Sequence, residues 1–271
     1  MFLRPLSGIL IALLVALMPS GRSAAEPPSP APDGCKKLDD AFRRTELPAR
    51  AQIEILVAAG KLIPHGWRDT YEEMALEIVR CAGDHAHVEL FPITDAGATL
   101  SALFTGAVPG PEPNDTNQFR INADRERFVG LASARVRQVV SSGRDYVGFD
   151  PVGTLYAAGD SLRQAQGASK LVVIVIGNGW QQTKLVNLFR YNDNPAVHAA
   201  EVVRQLRDSG SMPRLNGADV VFAGVTPGDR HLKMGSIEIR GLCKFWEDVI
   251  RAGGGTLQGC KSALPGIAAP F

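Results

Sequence analysis

The sequence predicts an α/β fold of three layers, α/β/α, in which helices cover both faces of a mostly parallel central sheet. The run from Leu171 to Ile176 is apolar at every position and rich in β-branched residues. Such a strand must be covered on both faces, as the central strands of parallel sheets are. Apolar runs of this kind alternate along the chain with stretches of helical periodicity, and that alternation is typical of a mostly parallel sheet between two helical layers.

Four runs are predicted to form strands. They are residues 53–58, 88–93, 170–176 and 219–225. The second run contains Pro92, which has no N–H to donate to a neighbouring strand and therefore favours a strand end or a sheet edge at this point.

Five stretches between and after these strands have the spacing of amphipathic helices. They are residues 71–82, 128–140, 152–162, 197–206 and 239–250. In the first stretch one face carries Tyr71, Met74, Ala75, Ile78, Val79 and Ala82. Spacing of i, i+3, i+4 and i+7 places these side chains toward a core. Pro151 precedes the third stretch, at a first-turn position that suits proline.

The beginning of the chain has the pattern of a secretory signal peptide. Arg4 precedes the apolar residues 9–18, and Ser23-Ala24-Ala25 predicts cleavage after residue 25. Because a membrane span needs roughly twenty apolar residues, no membrane span is expected after cleavage. We therefore expect a protein that is secreted or periplasmic. Residues 26–34, with four prolines, are predicted to be a linker, residues 35–265 a single domain and residues 266–271 a tail.

Export favours disulfide bonds between the four cysteines, for which three connectivities are possible. We expect the pairs Cys35–Cys81 and Cys243–Cys260. In the second pair, a predicted helix leads the chain away from the first cysteine, and the extended segment that follows is long enough to bring it back.

The charge of the chain argues against nucleic acid as a partner. The formal net charge is +1, and removal of Arg4 and Arg22 with the signal peptide brings it to −1. No cluster of Lys and Arg remains that would provide the basic surface of a nucleic-acid-binding protein.

The order of four segments resembles the von Willebrand factor type A domain, and is closest to exported bacterial versions of it. The segments are the strand at residues 53–58, the loop at 148–155, the strand that ends at Gly177-Asn178-Gly179, and the strand at 220–225 followed by Phe245-Trp246. Together they span residues 51–254. The resemblance implies a Rossmann-like sheet.

In that family, three loops form a metal-ion-dependent adhesion site, where a divalent cation is held by oxygen ligands and binds a carboxylate of the partner. The matching positions here are Ala58, Gly60, Leu62, Phe149 and Asn178. Among these side chains, that of Asn178 alone offers an oxygen, and Asp150 is the nearest remaining carboxylate. The resemblance therefore implies a degenerate site with no cofactor. The alternative is a reduced Mg²⁺ site formed by Asp150 and Asn178.

A ligand-binding edge is expected where the carboxyl ends of the parallel strands meet. It is predicted to comprise Lys61, His65, Trp67, Asp150, Asn178, Trp180 and Arg230. The two tryptophans have two interpretations: exposed rings that recognise a protein or glycan, or rings that pack down over the strand ends. Lys61 either replaces the cation with a fixed positive charge or is simply solvated. The Asp95–Thr99 segment is predicted to form a turn, because it follows the second strand and not a strand that leads into the family's site.

No signature of catalysis is present. The sequence lacks a Gly-x-Ser-x-Gly nucleophile elbow and both common phosphate-binding glycine patterns. The predicted function is a non-catalytic, exported protein-binding or scaffold module, whose partner is another protein or a component of the bacterial envelope. The alternatives are a divalent-cation-dependent adhesion domain, and an enzyme that uses Asp150 with His65 or His231 as acid and base.

Overall fold

The computed structural model describes residues 49–64, 66–114, 116–142, 148–190, 194–225 and 236–262. These residues all fall within one compact unit, residues 31–271. The predictions for the signal peptide, the linker, the tail, Cys35, His65, Arg230 and His231 concern residues outside the described ranges.

Six strands form one sheet. They are β1 (Gln52–Ala58), β2 (His87–Ile93), β3 (Phe104–Ala107), β4 (Leu171–Ile176), β5 (Asp219–Ala223) and β6 (Thr256–Lys261). Their order in the sheet is β3-β2-β1-β4-β5-β6. All neighbours are parallel except β2 and β3. The prediction of a mostly parallel sheet is therefore confirmed, and the order is that of a doubly wound fold.

In the described ranges, five α-helices accompany the sheet, and they form a layer on each side. They are α1 (Arg68–Cys81), α2 (Gln118–Val140), α3 (Pro151–Gln164), α4 (Ala199–Asp208) and α5 (Ser236–Ala252). The chain moves in one direction along the sheet from β1 to β2, and in the other from β4 through β5 to β6. Because such crossovers are right-handed, α1 lies on one face and α4 and α5 on the other. Helix α2 packs on α1, which completes the three-layer arrangement.

Helix α3 lies on the same face as α5, as the strand register shows. Ser161 of α3 hydrogen-bonds Glu89 of β2, and Trp246 of α5 stacks on Phe222 of β5. The register connects Glu89 to Phe222 through Glu54 and alternate residues of β4, so both side chains project from one face.

The sequence did not predict β3 or β6. Strand β3 is four residues long, and its residues alternate between half-buried and exposed. An edge strand of this length lacks the apolar run that identified the others. The prediction for Pro92 is confirmed, because β3 pairs with β2 only as far as Leu90. At Pro92, β2 is therefore an edge.

The disulfide prediction for the end of the chain is confirmed. Cys243 and Cys260 are bonded, with their Cα atoms 5.7 Å apart, and they join α5 to β6. Cys81 is also disulfide-bonded, but its predicted partner, Cys35, lies outside the described residues. Within the described part of the chain, no helix is long and apolar enough to cross a membrane.

Candidate functional site

A phenylalanine ring covers the carboxyl end of β4. Phe149 is 4% exposed, and its backbone forms two hydrogen bonds with Gln182, of 3.1 and 2.7 Å. A β-carbon on Gly177, the first residue after β4, would lie 3.0 Å from ring atom Cζ of Phe149 and 3.7 Å from Cδ1 of Ile93 at the end of β2. Strand β1 lies between β2 and β4 in the sheet. The ring therefore fills an apolar position at the carboxyl edge of the sheet.

Asp150 begins helix α3 and is held there by its neighbours. Its Oδ1 accepts hydrogen bonds from the backbone N–H of Gly153, at 2.9 Å, and from Nε2 of Gln181, at 2.8 Å. Oε1 of Gln181 accepts the N–H of Val152, at 3.0 Å. Gln181 is buried. The two side chains thus satisfy two of the N–H groups that the first turn of a helix leaves unpaired.

The first turn of α3 is also covered by the segment after β2. Residues Gly97–Thr99 form a short 3-10 helix, so the prediction of a local turn agrees with the structure. A β-carbon on Gly97 would lie 2.4 Å from the backbone N of Thr154 and 2.5 Å from the carbonyl oxygen of Asp150. The sequence reasoning placed this segment away from the site because it follows the wrong strand. The structure brings it into direct contact with the Asp150 loop.

The remaining predicted edge residues are engaged locally or packed. Oδ1 of Asn178 accepts the N–H of Trp180, at 3.0 Å. Trp180 is 5% exposed and stacks on Phe189. Trp67 is 7% exposed and contacts Tyr71 edge-on. Both tryptophans therefore pack down over the strand ends, which was one of the two interpretations left open. Lys61 is exposed but not free, since it has an interaction partner.

A groove of about 870 Å³ opens beside Asp150. Its volume is within the range of ligand-binding pockets. It is bounded by the Asp95 loop, the first two turns of α3, the loop 181–190 and the end of α4. Tyr156 and Leu185 contribute apolar surface to it, and Lys184 and Arg190 contribute positive charge. The sequence reasoning missed these four residues. The available signal was a loop directly after the central strand that combines two basic residues with an exposed leucine.

A second polar cluster lies under α3, on the sheet itself, and was also missed. Glu54 of β1 is 0% exposed and is the register neighbour of Glu89 on β2. Oε1 of Glu54 accepts a hydrogen bond from Nε2 of Gln52, at 2.8 Å, whereas Oε2 has no donor. Glu89 accepts hydrogen bonds from Ser161, at 2.8 Å, and from Thr105, at 3.1 Å. A glutamate inside a strand that is otherwise apolar was the signal for this cluster.

Burial, and after it the negative charge of Glu89, raise the pKa of the Glu54 carboxyl to about 8. Glu54 therefore carries a proton at neutral pH. The protonated oxygen can donate a hydrogen bond to Glu89, which accounts for the missing donor at Oε2.

Among the described residues, no group of three or more His, Cys, Asp or Glu side chains is arranged to hold a metal ion. Nε2 of His87 lies 3.3 Å from Oε1 of Glu89. The cluster under α3 thus contains two carboxyl groups on neighbouring strands, one of them fully buried.

Comparisons with known proteins add little to this geometry. No protein-family model matches the chain, and no curated protein matches it. Among solved structures, it is similar to the human COPII-coat protein Sec24c, with a TM-score of 0.38 and 10% sequence identity over 82% of this chain. The chain spans 31% of the length of Sec24c. A similarity this low carries no information about function.

Proposed function

We propose that this chain is an exported, non-catalytic protein-binding or scaffold module of the von Willebrand type A kind, which binds its partner without a cation. The observation that carries the proposal is the Phe149 ring at the carboxyl edge, next to an open groove. The partner is a protein or another component of the cell envelope. In this proposal the groove takes over the role that the metal-bound loops have in the family.

The hydrogen bonds at the edge support binding without a metal. Asp150 and Asn178 are the two residues from which a reduced Mg²⁺ site would be formed. Oδ1 of Asp150 already accepts two hydrogen bonds, and Oδ1 of Asn178 accepts one. At these two oxygens a cation would compete with donors that hold α3 and the turn after β4 in place.

Photocrosslinking tests the binding role. A photoreactive amino acid replaces Leu185, which is 43% exposed in the groove, and a control replaces Phe119, which is 85% exposed on α2. In the producing organism, we expect a discrete crosslinked partner from position 185 and none from position 119. The crosslink should persist in the presence of a chelator. Absence of any product specific to position 185 contradicts the proposal.

Calorimetric titration of the purified protein with Mg²⁺ and Mn²⁺ separates this proposal from the cation-dependent alternative. We expect no binding heat. Heat that disappears in the Asp150→Ala variant would establish the reduced metal site instead.

The proposed export has its own test. The protein should be recovered from a fraction outside the cytoplasm of the producing organism. Mass spectrometry of that protein should show a mature chain that begins at Glu26. A full-length chain in the cytoplasmic fraction contradicts it.

A further inference from the structure

We infer that the groove binds an extended segment of a partner protein in which an acidic residue stands next to an apolar one. This inference deepens the proposed function, because it names the chemistry of the partner at the same site. It rests on three features of the groove: two cationic side chains that form no ion pair with a described residue, an exposed apolar surface, and the fixed conformation of the loop that carries Lys184 and Leu185.

The positive charge comes from Lys184 and Arg190. Both are exposed, and no described side chain forms an ion pair or hydrogen bond with either one. The two acidic residues of the groove form no ion pair with either one. Oδ1 of Asp150 is engaged by Gly153 and Gln181, and Asp95 has an interaction partner of its own. An incoming carboxylate therefore finds two cationic donors that need not give up an existing partner.

The apolar surface lies beside this charge. Leu185 follows Lys184 directly and is 43% exposed, and the partly exposed ring of Tyr156 faces the same groove. A leucine exposed to this degree, flanked by a cation, suits a partner that alternates acidic and apolar side chains.

The loop that carries Lys184 and Leu185 is held in one conformation. The backbone N–H of Thr183 donates to the carbonyl of Val186, at 2.8 Å. The hydroxyl of Thr183 accepts the N–H of Val186, at 3.1 Å. Gln182, one residue earlier, is paired with Phe149. A loop fixed in this way loses little conformational entropy when a ligand binds, so the groove is pre-organised.

The shape of the groove favours an extended ligand. Its lining runs from the Asp95 and Asp150 loops at the carboxyl edge to Ser209 and Ser211, just past the end of α4. Helix α4 leads from the carboxyl end of β4 back toward the start of β5. The lining therefore extends in the strand direction between α3 and α4, which suits an extended peptide segment.

Selection from a phage-displayed library of random twelve-residue peptides tests this inference on the immobilised mature protein. We expect enrichment of peptides that contain Asp or Glu adjacent to Leu, Ile, Phe or Val. An enriched peptide, labelled with fluorescein, is then titrated with the protein and followed by fluorescence anisotropy. Its affinity should fall at least tenfold in the double variant Lys184→Glu/Arg190→Glu, and it should weaken as salt is raised.

A matched control changes the same charges elsewhere. The control variant Arg127→Glu/Arg135→Glu changes two residues of α2, on the opposite face of the sheet. It should bind the peptide with wild-type affinity. Failure to enrich any peptide, enrichment of basic or uncharged peptides, or equal losses in the two double variants would overturn the inference.

The outcome can be separated from that of the proposed function. If the crosslink at position 185 forms but charge reversal in the groove leaves it unchanged, the protein binds a partner there without the acidic chemistry. If acidic peptides bind but no partner crosslinks in the producing organism, the groove chemistry is correct and the proposed role is wrong.

Discussion

Two carboxyl groups lie against the same helix, α3, and their surroundings differ in one respect. Asp150 is at the beginning of the helix and accepts two hydrogen bonds at Oδ1, one of them from a backbone N–H of the first turn. Glu54 is under the third turn, where its Oε2 finds no donor. The helix thus supplies a backbone N–H to Asp150, whereas its polar contribution near Glu54 is the hydroxyl of Ser161, which hydrogen-bonds Glu89.

The difference shows how the fold treats an acidic side chain. Where unpaired N–H groups are available, a carboxylate is used as a structural acceptor and stabilises the helix start. Where none are available, burial favours the neutral form, so the group keeps its proton and becomes a donor. Four variants test this comparison.

The largest effect on stability is expected at the contact between Gly97 and the first turn of α3. Gly97→Ala places a β-carbon within 2.5 Å of backbone atoms of Asp150 and Thr154. We expect the free energy of unfolding to fall by about 3 kcal/mol in chemical denaturation. Gly130→Ala is the control: it lies in α2, where a β-carbon meets nothing within 4 Å, and should increase stability by roughly 0.5–1 kcal/mol. A Gly97→Ala variant as stable as wild type would show that the loop does not rest on the helix.

The second largest effect on stability is expected at the carboxyl of Glu54. The pKa of Glu54 in the folded protein, about 8, lies above the usual value of a glutamate carboxyl, 4.5. The folded state therefore binds a proton that the unfolded state releases, and the stability from this group is complete below about pH 4.5 and is lost as pH rises through about 8. Glu54→Gln keeps the shape and the donor. We expect it to raise the free energy of unfolding by about 2 kcal/mol at pH 7 and to flatten its pH dependence between pH 5 and 8.

Glu89→Gln is the matched control for this measurement. Burial is the first cause of the shift and the charge of Glu89 the second, so this variant should keep most of the pH dependence. If Glu54→Gln retains the wild-type slope, the proton is not on Glu54.

Removal of the carboxylate at the start of the helix should have a smaller effect. Asp150→Ala eliminates the acceptor for Gly153 and Gln181, and we expect a loss of about 1–2 kcal/mol in thermal or chemical unfolding. Asp150→Asn retains an acceptor oxygen, so its loss of unfolding free energy should be only a few tenths of the loss in Asp150→Ala. Equal losses for the two variants would show that the charge, and not the acceptor, stabilises the helix start.

The smallest effect is expected in the groove. Lys184→Glu/Arg190→Glu changes two exposed side chains that have no ion-pair partner among the described residues. The free energy of unfolding should change by less than about 0.5 kcal/mol. A larger loss would mean that these residues support the fold, and would remove the basis for assigning them to binding.

The core strands could be predicted from the sequence because their signal is local. Leu171–Ile176 is apolar on both faces, and an apolar run of this kind identifies a central strand without knowledge of its neighbours. The pairing of Cys243 with Cys260 was also predictable, since the chain between the two cysteines is a helix and a short return. Strand β3 was not, because an edge strand with alternating exposure resembles a loop when it is read alone.

The site required distances between residues that are remote in sequence. Gln181 reaches Asp150 across 31 positions, and Ser161 reaches Glu89 across 72. Neither contact leaves a pattern in the neighbouring residues. The Asp95 loop was placed away from the site for the same reason, although it lies on the first turn of α3.

The sequence by itself determined that this chain forms a mostly parallel α/β sheet, because hydrophobic periodicity acts over a few residues and is written directly in the order of side chains. The tertiary structure alone decided that Phe149 covers the end of β4, that the two tryptophans pack inward and that Glu54 keeps its proton. Each of these depends on which atoms from distant parts of the chain surround a group, and hydrogen bonding and burial act only between atoms that folding has brought together.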